Sequence, residues 1–170
     1  MNYADDARTI MADMLGTLDG LAQKAVAGGL ADSVLAAKLA DDMFPLETQF
    51  RIANNQVRLA LTRACAKDVA LDEEPYADWD TVRGRIAATR AELENAPASC
   101  WAAPDTRIDM TLPNGMRFAM SAAEYLRDWI QPNFYFHVTM AYALLRREGL
   151  ALGKADFIPH MARYALPAAD

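Results

Sequence analysis

Residues 121–149 read SAAEYLRDWIQPNFYFHVTMAYALLRREG, and they carry a helix start, an interruption and a helix stop. Ser121-Ala122-Ala123-Glu124 is a capping box, in which serine and glutamate satisfy each other's backbone amides at a helix entry. Phe134, Val138, Ala141, Leu144 and Leu145 then recur at helical spacing as far as Glu148, and Gly149 supplies the stop. Pro132 has no amide hydrogen, so a kink or break is expected near Gln131. An amphipathic helix of this length must bury its apolar stripe against other elements.

Those elements lie upstream. Arg107 to Leu112 alternates, Pro113-Asn114-Gly115 turns, and Met116 to Met120 alternates again, which reads as a β-hairpin. Two strands alone are marginal, so the hairpin must lean on helices. A third helix is expected from an Asp80 cap, with Val82, Ile86, Thr89 and Leu93 as its stripe and Arg90 paired to Glu94. A second helix opens at Pro45 and runs to about Lys67, after a short helical piece from Ser33 to Ala40. The first spans residues 7–25 and ends at Gly28-Gly29. Asp68, Asp72, Glu73, Glu74, Asp78 and Asp80, around Pro75, read as a solvated acidic loop. The tail from Ala151 to Asp170 is irregular, with Phe157, Met161 and Tyr164 as apolar anchors across one end. The fold class is therefore all-α, a four-helix bundle with a small β-hairpin between the third and fourth helices, in one domain over residues 1–170.

Composition agrees with a single core: 170 residues, 53% hydrophobic and 24% charged. The net charge of −6 repels phosphate backbones, so no nucleic-acid partner is expected. No apolar run approaches the roughly 18 residues a membrane helix needs, so no membrane partner is expected. Asp5 and Asp6 stand where an export signal carries basic residues, which points to the cytoplasm. Cys65 and Cys100 stand outside any CxxC spacing; they could pair, but reduced thiols are the expectation.

Chemistry in a bundle comes from polar side chains inside apolar arcs. The first helix shows none. In the second, Gln49 and Gln56 lie seven apart within the arc that holds Phe50, and a buried amide without partners costs about 1–3 kcal/mol. Backbone, buried water, a ligand or a group on another helix could satisfy them. In the last helix His137 lies on the apolar arc beside Phe134, with Asn133 one turn earlier. A buried imidazole is expected to stay neutral and to present one donor and one acceptor. Tyr135, Phe136 and Tyr142 lie toward the other side and suit packing on the hairpin, the tail or a second subunit. His160 is the other histidine. Asp41, Asp42, Glu47, Glu124 or Asp128 could join His137 around a metal, but no HxxxH, HExxH or paired ExxH spacing predicts one. Gly-rich phosphate loops, GxSxG and CxxC are also absent, so no metal and no cofactor is assigned.

The run Pro132-Asn133-Phe134-Tyr135-Phe136-His137-Val138-Thr139, with Ala141-Tyr142 and Gly153-Lys154-Ala155-Asp156-Phe157, resembles the DUF1993 family. Leu39, Asp42-Met43-Phe44-Pro45-Leu46 and Gln49 look like that family's second-helix entry, and Arg85-Ile86 with Thr89 resembles its third helix. The likeness is strongest over residues 35–157. It implies a DinB/YfiT-like four-helix bundle, a fold whose better-known relatives include metal-dependent thiol S-transferases and hydrolases built on a histidine triad. Only His137 stands on a bundle helix here, so the triad does not carry over.

The expected function is binding of a small organic molecule in an intra-bundle pocket. Gln49, Gln56, Asn133 and His137 would line it, Phe50, Phe134 and Trp129 would wall it, and His137 would transfer any proton. The resemblance also suggests a homodimer. The alternatives are a divergent metal-dependent transferase or hydrolase using His137 with carboxylates, and a non-catalytic structural or regulatory dimer.

Overall fold

The computed structural model describes residues 3–166; Met1, Asn2 and the last four residues of the expected tail lie outside that range. Four long helices form the bundle: α1 (Tyr3–Ala27), α2 (Leu46–Ala64), α3 (Trp79–Glu94) and α4. Helix α4 is one continuous rod made of Ala122–Glu124, a π-helical stretch Tyr125–Ile130 and Gln131–Arg147, because the backbone stays right-handed at both joins. The interruption expected near Gln131 takes the form of a π turn that ends at Ile130, and the chain does not break there. The π turn widens the helix just before proline, where the ring would otherwise strike the carbonyl one turn back.

The core is the set of apolar stripes read from the sequence, including Met11, Leu18, Phe50, Leu61, Ile86 and Phe134. Strands β1 (Arg107–Thr111) and β2 (Arg117–Ser121) pair antiparallel, Arg107 opposite Ser121, and lead straight into the Ser121–Glu124 capping box. Gly115 takes a φ of +84° in their turn, where a side chain would be strained. Two helix boundaries differ from expectation. Asp78, not Asp80, caps α3, its carboxylate accepting from the Thr81 amide at 2.6 Å, and α2 stops at Ala64, three residues short of Lys67. The piece expected over 33–40 is a shorter 3-10 turn, Asp32–Ala36.

The first helix does bury a polar residue. Thr17 is fully enclosed and donates to the carbonyls of Asp13 and, at 3.1 Å, Phe157. That second bond draws the tail onto α1. The tail helix α5 (Lys154–Phe157) is held there by Lys24–Asp156 at 2.6 Å, and the ring of Phe157 meets Tyr142 edge-on. Phe157 is thus an anchor, whereas Met161 and Tyr164 are exposed. Among the described residues no helix is long and apolar enough to cross a membrane.

Cys65 and Cys100 are joined in a disulfide, contrary to the expectation of free thiols. Cys65 is the C-terminal cap of α2, and the Ala102 amide donates to the Ala64 carbonyl at 2.8 Å, so the chain beyond α3 is drawn back onto the end of α2. The two Cα atoms stand 4.8 Å apart, inside bridging range, a proximity that sequence spacing does not contain. The bridge spans 35 residues. Loop-closure entropy assigns a bridge of that span roughly 4 kcal/mol of stability. Melting with and without dithiothreitol, alongside thiol titration, should show a large fall in Tm on reduction that is absent in Cys65→Ser/Cys100→Ser.

Candidate functional site

Helices α2 and α4 lie side by side, and Gln49 and His137 link them directly. Gln49 sits in the first turn of α2 at 1% exposure, and His137 sits in α4 at 7%. Imidazole Nδ1 lies 2.8 Å from Gln49 Oε1. The amide of Gln49 donates to the Phe44 carbonyl at 3.0 Å. That carbonyl is available because Pro45 caps α2 in an extended conformation, leaving Phe44 outside the helix. Reversing the amide would set two carbonyl oxygens against each other, so Gln49 must accept from His137 and Nδ1 must carry the proton.

The consequence is a fixed tautomer. Nε2 keeps a lone pair, with no partner for it among the described residues. Burial pushes the imidazole pKa down to about 4, so the ring is neutral throughout the physiological range. Beside it, Phe136 meets the His137 ring edge-on at 5.2 Å and is 54% exposed, while Phe44 is 58% exposed. The neutral imidazole thus lies against a phenyl ring that is itself open to solvent.

The other expected residues do not join this pair. Gln56 is buried, but it lies seven residues, or about 10 Å, farther along α2, and its Oε1 has no partner. Asn133 turns back to donate to the Trp129 carbonyl at 2.7 Å. Trp129 rests against Phe118 of β2, with ring centroids 5.6 Å apart. Phe50 and Phe134 are fully enclosed core residues, Phe50 lying edge-on to Trp79. Five surface cavities of 270–550 Å³ are lined by other side chains. The four polar groups therefore do not converge: Gln49 and His137 pair, while Gln56 and Asn133 face other surroundings.

Reading the acidic loop as solvated missed a buried network. Asp72 is only 6% exposed. Its carboxylate accepts from Asn54 Nδ2 at 3.0 Å and from the Tyr76 hydroxyl at 2.5 Å, and pairs with Arg58 at 3.4 Å and Arg85 at 3.2 Å. Its backbone exchanges two 2.9 Å hydrogen bonds with the Asn55 amide. Arg58 also donates to Thr89 and to the Ala70 carbonyl and pairs with Glu92. Burial first, then the hydrogen bond and charge of Asp72, hold the Tyr76 phenol protonated far above its ordinary range. The network straps the loop to α2 and α3 and leaves Asp72 no free acceptor to offer. A signal was available: Asn54 and Arg58 flank the apolar arc of α2, four residues apart on one side.

The chain matches the family described as a domain of unknown function, DUF1993, over residues 5–158. The chain belongs to the DUF1993 family. Its fold is similar to the crystal structure of a DinB family member from Shewanella denitrificans, with a TM-score of 0.79 and 26% identity over 96% of this chain and 92% of that one. No curated protein matches it. The donor set of this DUF1993 chain does not fit a metal of the kind the wider fold implies. Among the described residues no group of three His, Cys, Asp or Glu side chains is placed to hold an ion. Glu124 is spent on the Ser121 cap, Asp128 on Arg127 and Glu47 on Arg51.

Two outcomes follow for this DUF1993 bundle. Removing one partner of a buried ion pair costs about 3–5 kcal/mol, so Asp72→Ala should lower stability in urea melts by that order, while Asp68→Ala should leave it nearly unchanged. For His137 the folded pKa lies below the unfolded value near 6.5. Its stabilising effect is therefore complete above about pH 6.5 and is lost as pH falls toward 4. Full acidification should cost ~2 kcal/mol after allowance for screening at the open edge of the ring, a pH slope that His137→Phe should abolish.

Proposed function

We propose that this protein binds a small, flat organic molecule carrying one hydrogen-bond donor over His137. The observation that carries this reading is the locked tautomer. Gln49 and the Phe44 carbonyl together force the imidazole to present Nε2 as an acceptor, without any rotation or proton rearrangement when a ligand arrives. Phe44 and Phe136, both more than half exposed, offer the apolar edges against which such a ligand would stack. A donor group on the ligand would complete the one hydrogen bond the ring lacks.

The reading favours binding over proton transfer. A thiol of ordinary pKa, about 8.5, would lose its proton to an imidazole of pKa near 4 only at a cost of roughly 6 kcal/mol. His137 is thus suited to orient a hydroxyl or thiol more than to deprotonate it. Gln49 is a positioning residue, and Phe50 and Phe134 support the helices that hold the pair. Gln56 and Asn133 stay outside the proposed contact.

Phenol, with toluene as the donor-free control, tests this. Phenol should shift the His137 Nε2 resonance saturably and toluene should not. Gln49→Leu should weaken phenol binding by about tenfold by freeing the tautomer, and His137→Phe should remove it. Equal binding of toluene, or phenol binding without a response at Nε2, overturns the reading.

A further inference from the structure

The linker between α3 and β1, residues 95–106, is pinned unevenly. Its two ends have anchors of their own: the Ala96 amide donates to the Leu93 carbonyl at 3.2 Å, and the Thr106 and Pro104 carbonyls accept from the Ala122 and Ala123 amides at 2.8 and 3.1 Å. The stretch between those anchors, residues 97–102, forms only a short 3-10 turn, Ala98–Cys100. Among the described residues three bonds hold it to the helices: the Cys65–Cys100 disulfide, the Ala102 amide on the Ala64 carbonyl at 2.8 Å, and the Tyr3 hydroxyl on the Ala102 carbonyl. Trp101 is buried beneath these ties, and its indole N–H has no acceptor. Docking the indole thus strips a donor of water and returns no hydrogen bond for it, a cost that the ring's apolar contacts and the ties must offset.

We propose that the Cys65–Cys100 disulfide is a reversible redox latch, opened by a dithiol, whose reduction releases residues 97–102 and the Trp101 indole from the exit of α2 while the four helices stay packed. Cys65 is buried and Cys100 only half-buried, so the attacking thiolate reaches the Cys100 sulfur. A mixed disulfide forms there as the bond to Cys65 breaks, and Cys65 leaves as a thiolate and takes up a proton. The second thiol of the reductant then closes a disulfide with the first, and Cys100 is released and protonated in its turn. Two electrons and two protons pass from the dithiol to the cysteine pair, and a small disulfide oxidant reverses the exchange.

Release is local because the enclosed stripes of the bundle, with Leu18, Phe50, Ile86 and Phe134 among them, belong to the helices themselves, and both ends of the linker keep their own anchors. Once the covalent tie is gone, two hydrogen bonds remain against the uncompensated indole and the regained freedom of the chain. The movement also reaches Tyr3, whose hydroxyl loses its acceptor. Its side chain lines a groove of 270 Å³ between α1 and the π turn of α4, together with Ala7, Ile10, Leu126 and Arg127. The latch therefore bears on one wall of that groove. It is separate from the pair at His137, since Cys65 lies sixteen residues beyond Gln49, about 24 Å along α2.

The test follows the tryptophan indole resonances of the intact protein at room temperature, before and after dithiothreitol, with a soluble gadolinium chelate as a probe of exposure. In the oxidised protein the Trp101 resonance should be shielded from the chelate. Reduction should abolish that shielding while Trp79, buried edge-on against Phe50, keeps its position, and oxidised glutathione should restore the first spectrum. Cys65→Ser/Cys100→Ser should show an exposed Trp101 without any reductant. A Trp101 resonance that stays shielded after thiol titration finds both cysteines reduced, a collapse of the whole spectrum on reduction, or a bond that dithiothreitol does not cleave would overturn the proposal.

Discussion

Helix α2 is enclosed on most of its circumference, and that enclosure constrains every polar residue it carries. It packs on α3 and α4, with the 3-10 turn Asp32–Ala36 at its entry and the acidic loop strapped along one side. Gln49, Asn54, Gln56 and Arg58 are consequently buried on the same rod. Each must find a partner or remain as an uncompensated cost, because the interior has no bulk water to substitute. Gln49 finds His137, while Asn54 and Arg58 find Asp72. The arrangement of the loop and of α4 follows from those pairings as much as from apolar packing.

The helices were legible because each carries its own periodic stripe and its own punctuation, such as the Ser121–Glu124 box or glycine at 149. Those signals are local. What the sequence concealed depends on distances between elements. The Cys65–Cys100 bridge needs the chain after α3 to fold back on α2, and the burial of Asp72 needs Arg58 and Asn54 to face the loop. Charge pattern alone reads that loop as solvated, since its basic partners sit 14 and 13 residues away in Arg58 and Arg85. Pro132 marked where the α-helix is interrupted but not how: the π turn that accommodates it has no sequence signature comparable to the proline itself. At the candidate site, polarity on an apolar face correctly marked Gln49 and His137 as buried. It could not show that Gln56 and Asn133, on the same helices, would point into different surroundings.

Satisfied and unsatisfied groups divide the buried polar residues into two kinds. In the Asp72 network nearly every donor meets an acceptor, which is the signature of a strap whose purpose is to hold the loop. At His137 one ring nitrogen is fully engaged and the other is not. At the other end of α2 the Arg63 guanidinium lies against the buried ring of Tyr125. Both positions sit where α2 is anchored. Pro45 and the Phe44 carbonyl fix its entry next to His137, and the disulfide with the Ala102–Ala64 hydrogen bond fixes its exit next to Arg63. Holding a group still before its partner arrives removes ordering cost from the binding step. Rigid support beneath a ring with one engaged nitrogen is what separates His137 from the Asp72 strap.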